Sequence, residues 1–163
     1  MKSNNTENQA VIVEVAKDLK PYEGQLIIKS VDLNGNEFTY KTPNIITYGA
    51  RDVMSHLLVG DDVATLKLAN LAVGLNNTAP TRNDTSLANE LLQVAFTSHT
   101  YPDVGQVEMT AILDFSSPAN GQVLNEAGLI CADGSTLFAR QVYGDITKTS
   151  SLQLQYIWRI IFT

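Results

Sequence analysis

The chain has 163 residues, 44% hydrophobic and 17% charged, which suits one domain with a core that needs neither metal nor disulfide. A net charge of -6 and a pI near 4.7 argue against a nucleic-acid partner, because phosphate binding needs a basic face and no run of Lys or Arg supplies one. The lone cysteine, Cys131, leaves no internal disulfide and no cysteine-rich metal site, and within "GLICADG" it reads as a small buried hydrophobe.

The opening "MKSNNTENQAVIVEV" is polar, then briefly apolar, and Glu14 interrupts the apolar stretch. It is neither a signal peptide nor a membrane span, so no membrane partner is expected and synthesis is expected in the cytoplasm. Residues 1–24 are set apart as an N-terminal arm. Within it "AVIVEVAKDL" forms a short strand or helix that docks on a neighbour, and Lys20-Pro21 and Gly24 mark the junction.

The body, residues 25–163, starts with "QLIIKSVDLNGNEFTYK", where Asn34-Gly35 between two β-rich runs predicts a hairpin. In "NIITYGARDVMSHLLVGDD", Ala50, Val53, Met54, Leu57 and Leu58 fall at helical spacing, Thr47 can cap the start and Gly60 can end the helix. "LKLANLAVG" reads as a strand, and "LNNTAPTRNDTSLANELL" as a loop rich in turn-forming side chains. Strands follow at residues 93–99, 106–115, 122–131 and 136–143, and at "SLQLQYIWRIIF", where Leu152, Leu154, Tyr156 and Trp158 can share one face. Many short strands and one helix predict a mainly β chain: an antiparallel β-sandwich, jelly-roll-like, with one short helix and the arm.

No motif carries recognisable chemistry. His56 and His99 have no second ligand at metal spacing, and the acidic and amide groups around Asp61, Asp62, Asn76, Asn77, Asn83 and Asp84 lack the rhythm of a calcium loop. There is no G-x-S-x-G elbow and no phosphate loop. No catalytic, cofactor-binding or metal residues are therefore assigned. Glu126 and Arg140 flank the Asp133-Gly134 turn by about seven residues each, near enough to be cross-strand partners. Arg140 cannot act as a general acid or base, so the expected role is structural, as an ion pair or as a carboxylate bonded to backbone amides.

The order of these elements resembles small bacteriophage virion proteins of the tail-collar, tail-fibre and head-decoration kind. The resemblance runs over roughly residues 25–163. It is carried by "NIITYGARDVMSHLLVGD", "LANLAVGLNNTAPTRNDTSLANELL", "VEMTAILDF", "LNEAGLICADGSTLFAR" and "DITKTSSLQLQYIWRIIF", with most weight on "NEAGL", "LFAR" and "ITKTSS". It implies that Glu126 and Asn89-Glu90 maintain the fold, and it brings no catalytic residues. Because no fibre shaft or receptor-binding tip follows the last strand, a compact collar, connector or capsid-decorating piece is expected.

The expected function is a non-enzymatic structural protein of the virion, assembling with itself and with other virion proteins as a tail, collar or connector component. A head-decoration (cement) protein is the first alternative. The second is a carbohydrate-binding sandwich with Tyr101, Tyr143 or Tyr22 as aromatic platforms, and the third a hydrolase using Glu126 or Glu90 with Asp114.

Overall fold

A computed structural model describes residues 22–163. Nine antiparallel strands form one sheet curled into a half-barrel, with two helices beside it. The strands are β1 (Tyr22–Asp32), β2 (Glu37–Ile46), β3 (Leu68–Gly74), β4 (Glu90–Ala95), β5 (Ser98–Thr100), β6 (Gln106–Leu113), β7 (Val123–Cys131), β8 (Leu137–Thr147) and β9 (Leu152–Phe162). Across the sheet they run β4-β3-β7-β8-β2-β1-β9-β6-β5. β2 is the hinge of the curl: most of its length pairs with β1, while Ile45 and Ile46 pair with Arg140 and Ala139 of β8.

The two outermost strands are neighbours in the chain. The run expected as a single strand over residues 93–99 bends instead at Phe96-Thr97. There the Phe96 amide donates to Ala69 O and the Thr97 amide to Thr110 O, so one segment borders both ends of the sheet. The sheet is thereby closed through the covalent chain at one corner.

The sheet begins three residues before the boundary expected from the sequence, since Tyr22, Glu23 and Gly24 pair with Phe162, Ile161 and Ile160. The rest of the expected arm, residues 1–21, lies outside the described residues. The Asn34-Gly35 hairpin is present. Gly35 adopts φ +80°, and Asp32 Oδ1 accepts from the amides of Asn34 (2.8 Å) and Asn36 (2.9 Å), which fixes the turn.

Helix α1 (Tyr48–Val59) is capped as its sequence dictates: Thr47 Oγ1 accepts from the Ala50 amide at 3.3 Å, and Gly60 ends it in the left-handed region. Ala50 and Val53 enter the core, but Leu58, expected on the same face, is 81% exposed. One helix was expected, and a second, the single turn α2 (Val63–Leu66), follows directly. Four residues carry too little periodicity to signal themselves.

Alternation in β9 works as the sequence predicts: Leu154, Tyr156 and Trp158, with Ile160 continuing the row, are buried together with Leu26, Ile28, Met109, Ala111, Leu71 and Leu129. A second, smaller apolar cluster of Ala72, Ile130 and Leu137 is covered by Leu87, from the loop between β3 and β4. That loop therefore packs onto the sheet, and the site described next holds it there.

Candidate functional site: a buried ionic hub under the β3–β4 loop

Glu126 on β7 is fully buried and Arg140 on β8 is 2% exposed. Two such charges in the interior demand partners, because desolvation costs several kcal/mol per ion. Both have a full set. Arg140 donates from Nε (3.1 Å) and from a terminal nitrogen (2.8 Å) to Glu126 Oε2. Its other terminal nitrogen donates to Asp84 Oδ2 at 2.8 Å, and the first reaches Thr78 O at 3.1 Å. Glu126 also accepts from the backbone amides of Ala88 (3.1 Å) and Asn89 (2.7 Å). Both roles open to Glu126 in the sequence, ion pair and amide-bonded carboxylate, are filled at once.

Every remaining partner comes from the β3–β4 loop. The hub fastens a long segment without regular structure to the sheet at Thr78, Asp84, Ala88 and Asn89. Asp84 is held on its other side by the Thr81 amide (3.0 Å) and hydroxyl (2.7 Å). Burial pushes its carboxyl pKa up, but the Thr81 hydrogen bonds and the Arg140 guanidinium outweigh that and hold it below the usual value.

Space for the hub depends on a glycine. Gly74 is the register partner of Glu126, and a Cβ there would lie 2.5 Å from Asn89 O and 2.6 Å from Glu126 Oε1. Tyr143 closes the hub from the core side. Its hydroxyl lies 3.3 Å from Glu126 O and 2.8 Å from the Tyr156 hydroxyl, and burial raises the pKa of both phenols.

A second buried cation, Lys148, stands in the "ITKTSS" segment and is fully buried. Its Nζ donates to Asn120 Oδ1 (2.7 Å) and Thr149 O (2.8 Å), and its backbone pairs with Gln122 and Gly121. Burial lowers its pKa, a shift that the Asp114 carboxylate partly offsets. The one local signal for this role is a Lys flanked by small polar residues just before a strand.

The other candidates are dispersed. Tyr143, expected in a loop as an aromatic platform, is a buried strand residue, and Tyr22 opens β1; only Tyr101 is well exposed, at 74%, with the His99 ring edge-on at 5.9 Å. Asp114 follows the end of β6, where its Oδ1 accepts from the Ser116 amide and hydroxyl, both at 2.9 Å. Glu90 accepts from Gln93 at 3.0 Å. Cys131 is fully buried, and burial, with Asp133 adding to it, pushes its thiol up to about 12. Among the described residues no three His, Cys, Asp or Glu side chains are placed to hold a metal, and no helix is long and apolar enough to cross a membrane.

No family model matches the chain, and no curated protein or solved structure matches it either.

Proposed function

We propose that this chain is a non-enzymatic structural protein of a bacteriophage particle, made in the host cytoplasm and assembled with itself and with other virion proteins as a tail, collar or connector component. The observation that carries the reading is the hub. Glu126, the most deeply buried carboxylate and the one a hydrolase would use, has its oxygens committed to Arg140 and two backbone amides, so its chemistry is spent on fixing a surface loop. A rigidly fastened loop is what a packing surface in an assembly needs. Exposed apolar side chains such as Leu33, Phe38, Leu58 and Val104 offer contact area for neighbours. In packing terms the curled sheet would act as a jelly-roll-like sandwich, its halves facing each other over one core.

The test is the molar mass of the full chain by light scattering, followed by antibody labelling of phage particles. A trimer or hexamer of the 17.8 kDa chain, with label on the tail, is the expected result. Label on the capsid shell would move the assignment to head decoration. A monomer that labels no particle would overturn the reading.

A carbohydrate-binding role is the second reading, favoured by the exposed Tyr101 beside His99. It requires glycan-array binding that Tyr101→Ala abolishes.

A further inference from the structure

We propose that β2 is a self-recognition edge: its stretch Glu37-Phe38-Thr39-Tyr40-Lys41 pairs antiparallel with the same stretch of a second copy of this chain, about a twofold axis at Thr39. Among the described residues β2 pairs with β1 along one side, from Glu37 to Asn44, but with β8 on the other side only at Ile45 and Ile46. Beyond Ile45 the two strands part, and Gln141 Nε2 donates to Thr42 Oγ1 (3.3 Å) at the fork. Glu37 to Lys41 thus border no described strand on that side, although β2 stands in the middle of the nine-strand order. Such pairing is a form of the self-assembly proposed above and rests on it, though not on placement in a virion.

The phase of the β1–β2 ladder fixes which backbone groups are free. At the turn the Asp32 amide donates to Asn36 O at 3.1 Å, and from that pair the bonded positions recur at every second residue, so Phe38, Tyr40 and Thr42 bond toward β1. The N–H and C=O of Glu37, Thr39 and Lys41 therefore point to the open edge. Pro43, with no N–H to donate, falls in the same outward series, the place where a sheet tolerates proline. Ile45, next in that series, is paired with Arg140.

The side chains name the occupant. Set antiparallel on itself about Thr39, the stretch brings Glu37 opposite Lys41 of the partner subunit, and Lys41 opposite the partner's Glu37. Both are exposed, and neither makes an ion pair among the described residues. On the other face Phe38, 63% exposed, meets Tyr40 of the partner subunit. That pair falls at a non-hydrogen-bonded position, where side chains approach most closely, and aromatic and opposite-charge pairs across strands both stabilise. An edge guarded only against pairing needs charge of either sign. Here the two signs stand symmetrically about Thr39, which favours an antiparallel copy and disfavours a parallel one, where Glu37 would lie beside Glu37. A twofold contact fits a dimer, or a hexamer built from two trimers, and not a lone trimer.

The test measures the molar mass of the full chain by light scattering. Glu37→Lys and Lys41→Glu, each alone, set like charges opposite one another and should halve the mass of the wild-type assembly. Both positions are exposed, so an unchanged urea midpoint, read through Trp158, separates lost pairing from lost folding. Mixed in equal amounts, the two variants again present opposite charges and should restore the full mass. Independently, Thr39→Cys on the axis should form an intermolecular disulfide under mild oxidation, and Lys29→Cys, one strand inward, should not. The buried Cys131 thiol does not compete. A wild-type assembly of three chains, single variants that keep the full mass, a mixture that stays at half mass, or no preference for cross-linking at Thr39 would overturn the proposal and leave self-assembly standing. A wild-type monomer would overturn both.

Discussion

Arg140 does not sit opposite Glu126: its register partner is Gly128, and its guanidinium reaches two residues along β7 to meet Glu126 Oε2 at 2.8 Å. Gly128 itself lacks a side chain, which leaves room for the apolar plug of the β3–β4 loop. A Cβ there would press on Leu87 (2.6 Å) and Leu137 (2.7 Å), the pair that seals the second apolar cluster. One glycine thus clears the way for the loop's apolar plug beside the ionic hub.

Glu126→Gln should destabilise the fold by about 3–5 kcal/mol, the usual cost of leaving a buried charge without its partner. The side-chain NH2 also replaces one acceptor oxygen, so it faces either the donating Asn89 amide or the Ala88 amide together with the Arg140 guanidinium. Urea unfolding followed through Trp158, the single tryptophan and fully buried, measures the loss. The paired change Glu126→Leu with Arg140→Met should recover only part of it: it removes two buried charges together but takes the partners from Asp84 and from the Ala88 and Asn89 amides.

Gly74→Ala should cost about 1–3 kcal/mol by overpacking. The new methyl meets backbone at Asn89 O, which cannot swing aside as a flexible side chain could. Faster hydrogen exchange at the Ala88 and Asn89 amides would show that the damage falls on the hub; unchanged exchange would show that the loop moves as a unit.

Acid should loosen the β3–β4 loop. The Asp84 pKa is depressed in the fold, so its contribution is complete above the ordinary value of 3.8 and is lost as pH falls below it. Asp84→Asn should lower stability at neutral pH and flatten the acid limb of the pH–stability curve. A curve of unchanged shape would mean that other carboxylates govern the limb.

Alkali should destabilise the chain from about pH 9 upward. Unfolded Cys131 ionises near 9.0, whereas the folded thiol stays protonated to about 12, so stability falls across that interval. Tyr143 and Tyr156 add to the loss above 10, the ordinary tyrosine value. A single group can contribute at most about 1.4 kcal/mol per pH unit. Chemical denaturation at pH 8, 9.5 and 11 measures it, and Cys131→Ala should reduce the slope between the first two.

What the sequence made legible was local. Asn34-Gly35, Thr47 with Gly60, and the alternation of β9 each place their signal within a few residues of the structure it controls. The pairing of Glu126 with Arg140 was readable because one turn relates them. Asp84 and Thr78 were not, because they lie 56 and 62 residues from Arg140 and turn chemistry already accounted for an Asp there. Tyr143 was misplaced because the strand expected to end at it continues to Thr147, which puts it mid-strand. The bend at Phe96-Thr97 had no glycine or proline to announce it; its cause is tertiary, one segment serving both ends of a sheet.

β1 and β9 are antiparallel over eleven paired positions, so the chain enters at Tyr22 and leaves at Phe162 side by side. Tension applied between those two points would act across the ladder at its end and open it one hydrogen-bonded pair at a time, as a zip opens. Strands pulled lengthwise in opposite directions would instead resist with all their bonds together. In any assembly under mechanical strain, this fold would hold best when neighbours grip the faces of the sheet and leave those two adjoining points slack.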